Sequence, residues 1–181
     1  MVLLYYAHVR ESSDGNKEYQ TVAQHLIGTA ELCRKFAAAF GAEADGELAG
    51  LSHDIGKCTE DFQNRLLNDG PVVDHATAGA VACARQGNRY ASACVVGHHS
   101  GLPDFGNMKT ARKDDGTFYG RLLKGCDEQY LERCGESGVV LSPAASAAQK
   151  LAPLQASYWA RMLYSCLVDA DFLDTEQFMN G

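Results

Sequence analysis

The chain carries six histidines, at His8, His25, His53, His75, His98 and His99. Their spacing relative to two aspartates is what suggests chemistry. Neutral imidazole ligates transition metals, and a carboxylate adds charge and can bridge two ions. His53 and Asp54 are adjacent near an expected helix end, so the two oxygens of Asp54 can serve two ions at once. His75 opens an expected helix and the His98-His99 pair closes another. Helix ends let side chains converge without crossing backbone. His25 lies at the edge of an apolar stripe and looks inward. On a wheel advancing about 100° per residue, Asp169 falls between Tyr158 and Met162 on an apolar face, while Asp171 points roughly the opposite way. A lone buried carboxylate costs several kcal/mol unless it is paired or metal-bound, so Asp169 is expected to meet a cation.

His25, His53, Asp54, His75, His98, His99 and Asp169 thus form a set of potential ligands too large for one tetrahedral zinc. The set suits two ions of higher coordination number, bridged by a carboxylate. Imidazole-rich ligation favours Mn, Fe, Co or Ni over Mg, which prefers oxygen. Two such ions about 3.5–4 Å apart are the usual apparatus for displacement at phosphorus. Taken singly, each histidine reads more readily as a hydrogen-bonded structural residue than as a ligand; it is the joint placement that points to metal.

The elements needed to position these groups are helical. Val22, Leu26, Ile27, Ala30, Cys33, Phe36, Ala37 and Phe40 form one stripe over 21–40, stopped by Gly41. A shorter helix is expected from Asp45 to Ile55, and another over Glu60–Leu67 with Thr59 as its cap. Asp74 can cap His75–Ala84, whose Ala76, Gly79, Ala80 and Cys83 are small enough to require close approach of another backbone. Tyr90–Val96 continues as a buried helix. Ser142-Pro143 has the signature of a helix start, Pro153 marks a break or second start, and a last stripe runs from Leu154 to Phe172 with Tyr158, Met162, Cys166 and Ala170 as its inward residues. The fold class expected is all-α, a compact helical bundle in a single domain over 1–181, with strands marginal. The charged, Gly-dotted stretch 101–140 reads as an irregular excursion.

Composition narrows the function. The hydrophobic fraction of 46% over 181 residues supports a proper core, and no apolar run approaches the roughly 20 residues of a membrane span. A net charge of −7 argues against gripping nucleic acid by bulk charge alone; Lys109, Arg112, Lys113, Arg121 and Lys124, against Asp114 and Asp115, give the excursion a local positive surplus that reads equally as a strand-guiding edge or as a solvated mobile loop. The seven cysteines are odd in number, lack any C-x-x-C, and sit mostly among apolar residues, which favours buried free thiols and a reducing cytoplasm. Gly50…Gly56-Lys57 is one residue too long for a phosphate-binding loop, and Cys58 replaces its hydroxyl residue.

The ordered series His25, His53-Asp54, Lys57, His75, His98-His99 and Asp169 resembles the HD superfamily of metal-dependent phosphohydrolases. With Gly97-His98-His99-Ser100-Gly101-Leu102, Tyr6-Ala7-His8 and Leu167-Val168-Asp169-Ala170-Asp171, it looks like the HD nuclease domain of the CRISPR-associated helicase–nuclease of type I systems. The resemblance implies a dinuclear centre between helices. His25, His53 and Asp169 would hold one ion, His75, His98 and His99 the other, and Asp54 would bridge them. Lys57 would balance charge on the scissile phosphate or hold Asp54; His8 matches only loosely and is expected near the rim. It implies single-stranded DNA as substrate, a helicase domain, fused or separate, and an RNA-guided surveillance complex as partners. No helicase motif is present, so the chain is expected to be a stand-alone nuclease subunit or, since Asp174–Gly181 reads without a closing helix, a piece of a longer helicase–nuclease. The rivals are an HD phosphohydrolase acting on nucleotides or cyclic nucleotides and a non-catalytic HD-like binding module.

Overall fold

The computed structural model describes residues 4–126, 129–144 and 146–181. The chain opens with a feature the all-α expectation missed. β1 (Tyr6–Glu11) and β2 (Lys17–Thr21) form an antiparallel hairpin closed by a Ser12–Asn16 turn. These strands are short and charged, so they show no apolar run, and their pairing is secured by cross-strand partners such as Arg10 and Glu18. Thr21 ends β2 and at the same time caps α1 (Val22–Ala37), its hydroxyl accepting from the Gln24 amide while Gln24 returns to the Thr21 amide. The hairpin is therefore fixed to the first core helix.

α1 packs chiefly on α2 (Glu43–Ser52) and on the last helix, α8 (Pro153–Asn180). A single 3-10 turn, Ile55–Lys57, follows α2, and α3 (Glu60–Asn68) starts at Thr59, whose hydroxyl caps the Phe62 amide as expected. α4 (Ala76–Arg85) and α5 (Arg89–Gly97) form the other core pair. The small residues of α4 serve the purpose read from them: a Cβ on Gly79 would run into the Ser52 carbonyl of α2. Asp74 caps α4, accepting from the Thr77 amide and hydroxyl.

The stretch 101–140 contains α6 (Phe118–Lys124) and α7 (Gln129–Glu136). It is anchored to the body through buried Phe118, and the Phe118 and Tyr119 amides donate to Asp104 and Phe105 carbonyls. The helix start expected at Ser142-Pro143 is absent; residues 141–144 are irregular, and the long helix begins instead at Pro153. Its N-terminal region is tied down by Asp45 of α2, a buried carboxylate that accepts from Asn88, Ser146 and Trp159. Each of these charge-assisted bonds contributes on the order of 1.5–3 kcal/mol.

Cys33, Cys83 and Cys94 are buried free thiols in the core. The expectation of uniformly free thiols fails at one pair: Cys58 and Cys134 are disulfide-bonded, with Cα atoms 6.1 Å apart. They are 76 positions apart in the chain, and no spacing rule links them. Among the described residues, no helix is long and apolar enough to cross a membrane.

Candidate metal centre

Four helix ends and one helix face converge on Asp54. His25 comes from the first turn of α1, His53 from the residue after α2, His75 from the residue before α4, and His98-His99 from the end of α5. Asp171 comes from the middle of α8. Two groups of potential ligand atoms result, each within 4.8 Å of one another: His25, His53, Asp54 and Asp171, and Asp54, His75, His98 and His99. Asp54 belongs to both.

The two carboxylate oxygens divide the work. Asp54 Oδ2 lies 3.3 Å from His25 Nε2 and 3.5 Å from His53 Nε2, whereas Oδ1 lies 3.4 Å from both His75 Nε2 and His98 Nε2. Asp171 Oδ1 completes the first group, at 3.2 Å from His25 Nε2 and 3.4 Å from His53 Nε2. His99 Nε2 completes the second, 2.8 Å from His75 Nε2.

Four of the histidines are oriented from behind. His53, His75 and His98 present Nδ1 to the carbonyls of Gly50, Val73 and Val95, and His25 presents it to Asp174 Oδ2. Carbonyls and carboxylates only accept, so each Nδ1 carries a hydrogen and donates it. In the neutral ring the Nε2 lone pair is then aimed into the cluster, the tautomer and orientation that metal ligation requires. The donor set fits two cations on a further count. Asp54 Oδ1 and His98 Nε2 are buried and have no hydrogen-bond partner, and such orphans cost on the order of 1–3 kcal/mol each unless something else satisfies them.

Charge within the cluster agrees. Burial disfavours ionised Asp54, but Lys57, His53 and the other histidines outweigh it and hold the carboxyl well below its usual range. Burial also opposes charge on His25, yet Asp171, Asp174 and Asp54 lift its pKa to about 10. Burial, aided by His98, takes His99 down to about 4, and burial likewise lowers His75. Lys57 is buried, its Nζ 2.6 Å from Asp54 Oδ2 and 3.3 Å from His8 Nε2. Of the two roles expected for Lys57, holding Asp54 is the one visible in the geometry. His8 sits just behind the first group, its ring edge-on to His25 and its Nδ1 2.8 Å from Gln20 Oε1.

One expected ligand is misplaced. Asp169 is exposed on α8 and lies in neither group; Asp171 stands where it was expected. The wheel was phased on Tyr158 and Met162, which are 61% and 47% exposed, whereas the inward stripe is Ala156, Ala160, Leu163, Leu167 and Ala170. Continued by steps of three and four, that stripe leads to Asp171 and Asp174. Asp174 was missed altogether, as was Gln20, which donates to Asp174 Oδ2 at 2.7 Å. Gly28 of α1 makes room for this carboxylate: a Cβ there would collide with it. The positive excursion is also partly committed, since Arg121 and Lys124 pair with Asp74 at 3.0 and 3.2 Å, leaving Lys109, Arg112 and Lys113 exposed.

A helical frame that brings a His-Asp pair and further histidines around one bridging carboxylate defines a metal-dependent phosphohydrolase type of centre. The HD domain family model matches residues 22–125, more than half of the chain and all of the expected ligands except the carboxylate from α8. The chain belongs to the HD domain family. A search of curated proteins finds no match.

Proposed function

We propose that this protein is a two-metal phosphodiesterase that cleaves single-stranded DNA, working in the cytoplasm as the nuclease of a type I CRISPR interference system. The carrying observation is the divided carboxylate of Asp54, each oxygen facing its own set of imidazoles. His25, His53 and Asp171 would hold one divalent ion and His75, His98 and His99 the other, with Asp54 shared; Mn, Fe, Co or Ni suit these donors better than Mg. Bound there, such ions lower the pKa of water towards about 7 and neutralise charge on a phosphate. The protein's own groups orient the donors from behind, keep Asp54 ionised through Lys57, and leave one edge open.

That open edge supports a polymer. His99 is exposed, and the side chains of His75 and Asp171 keep 16% and 21% of their accessibility. A strand can be laid across such a rim without threading its ends. The likeness of Gly97–Leu102 to the CRISPR-associated nuclease favours DNA delivered by a helicase, fused or separate, and an RNA-guided surveillance complex, which also accords with the −7 charge of a domain that does not gather DNA unaided.

The test is incubation of circular single-stranded DNA with the protein and Mn²⁺, Co²⁺ or Ni²⁺, beside Asp54→Ala. Nicking by the parent and its loss in the variant are expected. Equal cutting by Asp54→Ala would remove the bridging role, and turnover of nucleotides or cyclic nucleotides without nicking would establish the small-molecule alternative.

A further inference from the structure

α8 is 28 residues long, about 42 Å at 1.5 Å per residue, and only one of its two apolar faces is used by the core. The other carries Leu154, Tyr158, Phe172 and Met179, which are 69%, 61%, 63% and 47% exposed. Advancing about 100° per residue, these four lie within about 40° of a line through Ser165, with Met162 at its margin. Tyr158, Ser165, Phe172 and Met179 recur at intervals of seven, with Arg161, Ser165 and Asp169 forming a polar centre between the apolar ends, a repeat that suits a helix packing along another helix. Large apolar side chains exposed together on one helix face mark an interaction site.

The middle of this face, from Tyr158 to Phe172, is self-complementary. Arg161 precedes Ser165 by the same interval that Asp169 follows it, and Tyr158 and Phe172 stand one heptad to either side. Arg161 and Asp169 are both exposed and form no ion pair among the described residues. Two α8 helices laid antiparallel about an axis at Ser165 would bring Arg161 of each copy to Asp169 of the other, Tyr158 to Phe172, and the small Ser165 to the point of closest approach. Like charges would meet in a parallel arrangement. A two-fold contact needs one patch complementary to itself.

We propose that this face of α8 is a homodimer interface, its occupant being the same face of a second copy in antiparallel register about Ser165. About Ser165 the two helices overlap over 153–177, about 37 Å, and a strip about 11 Å wide gives on the order of 400 Å² per copy, below the roughly 800 Å² of a standard interface, so the dimer is a weak, concentration-dependent one. Asp171 lies about 120° around the helix from Ser165, which keeps the metal centre clear of the contact and the proposal independent of the hydrolytic function.

Sedimentation of the whole protein from about 1 to 100 μM, the range for weak contacts, tests it. The mass is expected to rise from 19.5 kDa towards twice that value. Arg161→Asp places two carboxylates together at both ends of the axis and should weaken the association at least about tenfold; Arg161→Asp/Asp169→Arg should restore it to within about threefold of the parent. Ser165→Cys should give a covalent dimer under mild oxidation that the parent does not form. A monomer at every concentration overturns the proposal, as does a dimer indifferent to Arg161→Asp or not rescued by the double reversal. Circular dichroism of each variant confirms that the exposed substitutions leave the fold intact.

Discussion

Asp174 touches no other member of the two ligand groups than His25, yet the structure assigns it a measurable share of metal affinity. Its Oδ2 accepts at 2.7 Å from both His25 Nδ1 and Gln20 Nε2, and its side chain is only 12% exposed, so solvent does little to screen it. It fixes the His25 tautomer, sets the ring plane and makes Nε2 more basic. Removing such a partner costs about 10–100-fold in affinity, or about 1.4–2.8 kcal/mol at 1.4 kcal/mol per decade; near-complete burial places Asp174→Ala in the upper half. Asp174→Asn keeps an acceptor oxygen and loses the charge, so it should fall between variant and parent, separating orientation from electrostatics. The assay is calorimetric titration with Mn²⁺ of parent and both variants. Only one of two binding steps should weaken, because His75 and His98 of the other group are oriented by the Val73 and Val95 carbonyls, not by Asp174. Parent-like affinity for both ions in Asp174→Ala would refute the reasoning.

Three further outcomes are expected. Asp171→Asn should lose one bound ion and more than about 100-fold in activity, beyond the range for outer partners, while Asp169→Asn should stay within about twofold of the parent; metal content and nicking rate check both. Gly28→Ala, on the face of α1 that Asp174 packs against, should reproduce part of the Asp174→Ala defect by displacing that carboxylate, by about tenfold in Mn²⁺ affinity, with the melting curve showing an intact fold. Finally, His25, with its pKa raised to about 10, holds a proton at neutral pH that a metal must expel, whereas His99, lowered to about 4, is already neutral. Burial is also outweighed by Asp54 at His98, raising its pKa, so Mn²⁺ binding near pH 7.5 should release at least about one proton, measured in buffers of different ionisation enthalpy, and affinity should climb with pH until His25 titrates. The sign of stability is opposite: the raised His25 pKa supports the metal-free fold fully below its unfolded value near 6.5, and that support is lost as pH rises through about 10.

The helical frame was legible because its signals are local. The α1 stripe, the Thr59 cap, the Asp74 cap and the small residues of α4 each show within their own segment, and the structure uses each as read except that Ile27 of the stripe is exposed and α1 stops at Ala37. What escaped depends on distant partners. The hairpin at 6–21 is held by cross-strand pairs and by Gln63, which bonds both the amide and the carbonyl of Tyr6; none of these marks its own segment as strand. The Cys58–Cys134 pairing likewise appears only when α7 is folded back against the turn holding Lys57.

The error over Asp169 has a more specific cause, one that bears on how metal sites are read from sequence. Most of the expected ligands sit at helix ends, where adjacency to a helix terminus identifies them without any knowledge of rotation. The α8 carboxylate is the exception: it lies within a long helix, and finding it requires the correct phase. α8 offers two apolar faces, and the one with the larger residues faces out. The inner face is made of Ala156, Ala160 and Ala170 with two leucines, because α5 and α1 pack closely against it and leave little room. Weighting hydrophobic size therefore selects the exposed seam and turns Asp169 inward, whereas weighting smallness selects Ala160, Leu163, Leu167 and, one step on, Asp171 and Asp174. A second apolar stripe on a helix already committed to the core thus carries two pieces of information: it displaces the ligand assignment by two residues, and it marks the surface through which the protein meets another copy of itself.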